Sequence, residues 1–118
     1  MEYPELIPVP LKDKYELVKD YIYSYNGGHE VVIPSGFQYD GASIPVIAQP
    51  LTYTPFHPKV MTAALVHDWL YSTGELERLM ADSIFYQLLI DSDVPRVTAE
   101  LMYAGVRAGG SSHYKKEE

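Results

Sequence analysis

Eight of the nine prolines in this 118-residue chain lie at or before Pro58, and only Pro95 follows. Proline fixes φ and cannot donate a backbone hydrogen bond, so it breaks helix interiors but fits turns, strand ends and first helical turns. Strands and loops are therefore predicted before Pro58 and helices after it. The expected fold class is α+β, an N-terminal antiparallel β-hairpin packed on a C-terminal three-helix bundle. Residues 1–110 are expected to form a single domain, and 111–118 a polar C-terminal tail.

Between Tyr15 and Tyr25 the odd positions are mostly apolar or aromatic, and the even ones mix Glu16, Asp20 and Ser24 with Val18 and Ile22. That imperfect period of two predicts one half-buried strand. Asn26-Gly27-Gly28 supplies the positive φ angles of a tight turn, and His29 to Pro34 returns as the second strand. Residues 34–58 read as a long irregular connection, a length more often functional than idle. A helix is expected from Pro58 to Tyr71, stopped near Gly74. A second starts almost at once through the capping-box spacing Ser72-Thr-Gly74-Glu75 and runs to about Ile90. Asp93 is the expected cap of a third, which ends at Gly109-Gly110.

A hydrophobic content of 47% is enough for one small core, and the absence of cysteine removes disulfides, thiolate metal sites and cysteine nucleophiles. The formal charge of −7 has the wrong sign for neutralising phosphates, so no nucleic-acid partner is expected. The uncharged run from Gly41 to Pro58 contains four prolines and reads as no transmembrane segment. The first ten residues, acidic and broken by proline, lack the pattern of a signal peptide.

The residues that point to chemistry begin with His67 and Asp68. Val60 to Val66 carries no charge, and Thr62, its one hydroxyl, points away from both on a 3.6-residue helix. A carboxylate in such a helix must be hydrogen-bonded, ion-paired or bound to a metal. If the chain turns near Thr73-Gly74, His67 and Asp82 lie about 9 and 12 Å from the turn along two antiparallel axes and can face each other. Asp82 then orients the imidazole through one ring nitrogen and leaves the other as a general base. The alternative for Asp82 is a surface i,i−4 pair with Arg78. A third element is Gly36-Phe-Gln-Tyr-Asp-Gly-Ala-Ser-Ile-Pro45, where Asp40 and Ser43 offer oxygens and Gly41 allows close backbone approach. Ser43 as a nucleophile with His67 and Asp82 is conceivable, although its surroundings are not a Gly-x-Ser-x-Gly elbow.

Ile33 to Pro45, His67-Asp-Trp-Leu-Tyr71, Arg78 to Asp82 with Phe85, and Met102-Tyr103 to Arg107 closely resemble a family of short phage and prophage proteins classed as a domain of unknown function. That resemblance implies a phage-encoded protein, located in the virion or the infected host cytoplasm. His67-Asp68-x-x-Tyr71 followed by a helix bearing Asp82 is also similar to the catalytic helix pair of secreted calcium-dependent phospholipases. Carried over, His67 is the base for a water, Asp68 a ligand of calcium or another divalent cation, Asp82 the orienting acid and Tyr71 its supporting partner. Asp40 joins Asp68 as a candidate metal ligand. Leu70 stands where those phospholipases have cysteine, and only Gly36 to Gly41 could replace their calcium loop.

Two functions from different classes are expected. One is a metal-assisted His-Asp hydrolase of an ester, lipid or cell-envelope bond, acting on a host envelope component. The other is a tail or baseplate component that binds phage structural proteins and whose His/Asp cluster is structural. A water-accessible cleft reaching His67 favours the first, and a sealed, fully paired cluster favours the second.

Overall fold

The computed structural model describes residues 2–41, 43–45, 49 and 53–115. Its elements follow the proline partition: antiparallel strands come first and three helices after, an α+β fold. The chain divides into two compact units, one ending at Asp40 and the other beginning at Gly41.

The N-terminal unit holds five strands: β1 (Leu6–Pro8), β2 (Tyr15–Leu17), β3 (Tyr21–Tyr25), β4 (His29–Ile33) and β5 (Gln38–Tyr39). The predicted hairpin is β3–β4, with Tyr21 opposite Ile33 and Tyr25 opposite His29. Asn26 and Gly27 take φ values of 45° and 71° in its turn. The strand expected to run unbroken from Tyr15 to Tyr25 is instead interrupted between Leu17 and Tyr21. Ser35 holds the break by donating its amide to Asp20 Oδ1 (2.8 Å) and its hydroxyl to the Val18 carbonyl (2.9 Å). β2 then pairs away from the hairpin, in a three-stranded antiparallel sheet of order β1-β2-β5. Leu17, Tyr21, Val31, Ile33 and Tyr39 are the buried apolar side chains of this unit.

In the C-terminal unit α1 (Met61–Thr73) packs on α2 (Arg78–Asp91), and α2 on α3 (Arg96–Gly109). A run of turns precedes α1, so the helix begins three residues after the expected Pro58; Val60 and Met61 both donate to the His57 carbonyl. Residues 62–68 of α1 are all buried, which explains why its apolar residues surround the axis instead of forming one stripe. Gly74 ends the helix at φ 66°, donating its amide to the Leu70 carbonyl (3.0 Å) in the left-handed cap that glycine adopts without strain.

The starts of the other two helices also differ from the sequence reading. Ser72 and Glu75 do not form a capping box, because the Ser72 hydroxyl is still inside α1, donating to the Trp69 carbonyl, while Glu75 accepts the Trp69 indole N–H at 2.6 Å. α2 accordingly begins after Glu77. Asp93 does not cap α3 either: it takes a left-handed φ of 65° in the connection, and Pro95 occupies the N-cap. Of the expected polar tail, Ser111–His113 form a 3₁₀ turn. Beyond it the Lys115 amide donates to the Tyr71 carbonyl (2.8 Å) and the Tyr114 hydroxyl to the Leu76 carbonyl (2.7 Å).

Thr62 is 1% exposed, and its hydroxyl has no hydrogen-bond partner. An orphaned buried hydroxyl is destabilising, so Thr62→Val is expected to raise stability by about 1 kcal/mol, read as a higher urea midpoint with unchanged slope.

Candidate functional site

α1 places His67 and Asp68 side by side in its buried stretch, and α2 presents Asp82 to it. His67 Nε2 lies 2.7 Å from Asp82 Oδ1, with both side chains fully buried. The Tyr71 hydroxyl, one helical turn after His67, donates to the same oxygen at 2.6 Å. Arg107, on the last turn of α3, donates to Asp82 Oδ2 at 2.7 Å. Asp82 therefore does not lie on a solvated face. Arg78, its expected surface partner, stands 3.8 Å from Oδ2 and donates mainly to the Val106 and Arg107 carbonyls at 3.1 and 2.9 Å. There it satisfies carbonyls that the end of α3 leaves open.

Burial alone would push the Asp82 carboxyl up, but the hydrogen bonds from His67 and Tyr71 and the Arg107 contact outweigh it and hold it below the ordinary range. Tyr71 moves the other way. Burial, then the hydrogen bond to the Asp82 carboxylate, raises its phenol well above its ordinary value, so it remains a donor. The imidazole is fixed from its faces too, with the Tyr71 and Phe85 ring centroids 4.1 and 4.8 Å away. Gly110 keeps space for this support: a Cβ there would sit 2.9 Å from the Tyr71 hydroxyl and 2.6 Å from the Val106 carbonyl.

The other ring nitrogen, Nδ1, lies 2.8 Å from Ser43 Oγ. Ser43 also contacts Asp68 Oδ1 through its hydroxyl, and its amide donates to the same oxygen at 3.4 Å. The Gly41 amide donates to Asp68 Oδ2 at 2.9 Å. The cluster is a buried chain of polar groups, Asp82–His67–Ser43–Asp68. His67 and Asp82 are 0% exposed, whereas Ser43 and Asp68 reach 5% and 8%.

The sequence-predicted residues His67, Asp82, Asp68, Ser43, Gly41 and Tyr71 thus meet in one network. Asp40 closes the N-terminal unit and is exposed. Arg107 is the member that sequence reasoning left without a role; its signal was a lone cation in the last turn of an otherwise neutral helix end. Asp68 turns its lone pairs toward N–H and O–H donors, whose positive ends disfavour a cation at the same oxygens. As placed, these residues do not fit a calcium ion. Among the described residues no group of three or more His and acidic side chains is gathered to hold a metal. No helix among them is long and apolar enough to cross a membrane.

An α+β chain with a buried, hydrogen-bonded His-Asp pair between two helices is the class that fold and site define. The chain belongs to the family described as Protein of unknown function (DUF1353), which it matches over residues 15–106. It is similar to two proteins of Sinorhizobium fredii (strain NBRC 101917 / NGR234). One is the uncharacterized protein y4iH, 31% identical over 71 residues, covering 60% of this chain and 30% of that protein. The other is the uncharacterized protein y4jT, 29% identical over 103 residues, covering 87% of this chain and 30% of that protein. In both cases the match spans under a third of the relative's length. No solved structure gives a significant match.

Proposed function

We propose that this chain is a phage- or prophage-encoded hydrolase of a carboxylic ester or related bond, acting on a lipid or cell-envelope substrate, with His67 as its general base. The observation that carries the reading is the position of the imidazole. Nε2 is held by Asp82, itself fixed by Tyr71 and Arg107, and Nδ1 points to the Ser43 hydroxyl. A base must be fixed in tautomer and aim before it can take a proton in the transition state, and a His oriented by a carboxylate is the usual solution. With Nε2–H donated to Asp82, Nδ1 carries the free lone pair and receives the proton of the attacking group. The substrate class rests on the similarity of His67-Asp68-x-x-Tyr71 to the phospholipase helix pair, and the phage origin on the first resemblance.

The second reading is a virion component that binds phage structural proteins, with the same cluster as a structural tie. It is favoured by the complete burial of His67 and Asp82 and by the pairing of both ring nitrogens.

The test is hydrolysis of short-chain nitrophenyl esters and of phospholipid vesicles by the purified chain, with calcium or with chelator. Turnover that Arg107→Ala reduces supports the hydrolase, since Arg107 reaches the chemistry only through Asp82. Folded protein inert toward the whole panel supports the virion reading. Melting followed through Trp69 is expected to be insensitive to calcium, and Asp68→Asn to lose about 1–3 kcal/mol equally in calcium and in chelator, as expected when a carboxylate serves hydrogen bonds rather than a cation. A calcium-dependent rise in melting temperature that Asp68→Asn abolishes would restore Asp68 as a metal ligand.

A further inference from the structure

Asp68 accepts the amides of Ser43, whose hydroxyl faces His67, and of Gly41, two positions before it. Backbone N–H groups at those two positions, relative to a nucleophilic serine, form the oxyanion hole of serine proteases. Here both converge on one carboxylate, beside a serine Oγ that is 2.8 Å from a carboxylate-oriented imidazole. Gly41 bonds Oδ2 at 2.9 Å and Ser43 bonds Oδ1 at 3.4 Å, so the carboxylate marks the region where these amides accept an anionic oxygen, and a single oxyanion would draw both onto itself once Asp68 has left. Gly41 can present its amide in this way because it adopts φ 75° with its α-carbon close against Pro55.

From this arrangement we infer that Ser43 is the nucleophile of the site, with His67 as its base, Asp82 as the orienting acid and the Gly41 and Ser43 amides as the oxyanion donors, covered in this structure by Asp68. The inference rests on the hydrolase reading and replaces a metal-bound water by a covalent route. Once Asp68 has released the Ser43 hydroxyl, its proton turns to His67 Nδ1; Ser43 Oγ then forms a bond to the carbonyl carbon of an ester while that proton passes to Nδ1, and the carbonyl π electrons move onto the oxygen held by the two amides. That oxygen re-forms the carbonyl as the alkoxy group leaves with the proton from Nδ1. Water then attacks the acyl-serine, giving its proton to Nδ1, and collapse releases the acid while Ser43 Oγ recovers the proton. Substrate reaches the amides only when the Asp68 carboxylate turns away from them. Asp68 is therefore a cover over the site, and it must leave its buried position, where it is 8% exposed, before the amides are free.

The probe is an alkyl fluorophosphonate, which transfers phosphorus to an activated serine and releases fluoride. Intact mass is expected to show one adduct on the wild-type chain, and peptide mass spectrometry to place it on Ser43. Ser43→Ala should abolish it, and His67→Gln should slow it at least about 100-fold, the scale of general-base assistance. Asp68→Ala, checked by circular dichroism to be folded, should label faster than wild type. An unlabelled wild-type chain, an adduct on another residue, or slower labelling of folded Asp68→Ala overturns the inference. Ester hydrolysis measured on the same samples separates the two claims. Turnover that survives in Ser43→Ala overturns the serine nucleophile and leaves the hydrolase standing, whereas a folded chain with neither label nor turnover overturns both.

Discussion

Asp82→Ala is expected to cost about 3–5 kcal/mol at neutral pH, the loss typical of removing one partner from a buried ion pair, and to lower the melting temperature by at least about 10 °C. The size follows from what the carboxylate holds: His67 and Tyr71 on one oxygen and Arg107 on the other, at 2.6–2.7 Å. Its removal leaves all three donors facing a cavity. The effect also has a pH signature. The folded carboxyl titrates below its ordinary 3.8, so the folded state keeps the charge where the unfolded chain has already taken a proton. A depressed folded pKa contributes stability that is complete above the unfolded value and is lost as the pH falls through the folded one. The gap between wild type and Asp82→Ala should therefore narrow as the pH falls below about 3.8, as measured by urea midpoints. A gap that does not narrow there would contradict this assignment of charge.

The second large effect is expected at Gly41. A Cβ there would lie 2.4 Å from Pro55 Cβ and 2.6 Å from Cγ, on a residue with φ 75°. Gly41→Ala combines a left-handed alanine with overlap against a proline ring that cannot rotate away, and should lose about 3 kcal/mol or more. Gly36→Ala is the matched control. Its φ is 93°, but a Cβ would meet nothing within 4 Å, so only the conformational penalty of roughly 1–2 kcal/mol remains. Equal losses at the two positions would mean that the loop yields freely at Pro55. Because the Gly41 amide is bonded to Asp68, its substitution should also reduce turnover more than the loss of stability accounts for.

The face-to-face placement of His67 and Asp82 was legible from the sequence because it needs only two facts, a helical period and a turn at Gly74. Both are local. Tyr71 came only with the resemblance to the phospholipase helix pair, and its hydroxyl does reach Asp82. Arg107 was not legible in this way, since it lies 25 residues from Asp82 on the third helix, and nothing in its neighbourhood reveals which way α3 faces. Arg78 was misplaced for the related reason that i,i−4 spacing describes a helix surface, whereas this turn of α2 is closed over by the end of α3. In the N-terminal half the hairpin was marked by its turn residues. The break between β2 and β3 was hidden, because the groups that hold it, Asp20 and Ser35, meet only after the chain has gone out and returned. β1 and β5, with three and two residues, are too short to carry a period. The same limit applied to the capping box at Ser72 to Glu75: the pattern was present, but the tertiary demand that α1 continue through Thr73 prevailed.

The central claim, that His67 is the base of a hydrolase rather than a structural tie, is tested most directly by His67→Gln. Glutamine can hydrogen-bond to Asp82 or Ser43 but cannot exchange a proton between them. In material confirmed as folded by circular dichroism, kcat/KM for a nitrophenyl ester is expected to fall at least about 100-fold. Equal turnover of wild type and His67→Gln, or folded wild-type protein with no turnover to lose, would contradict it.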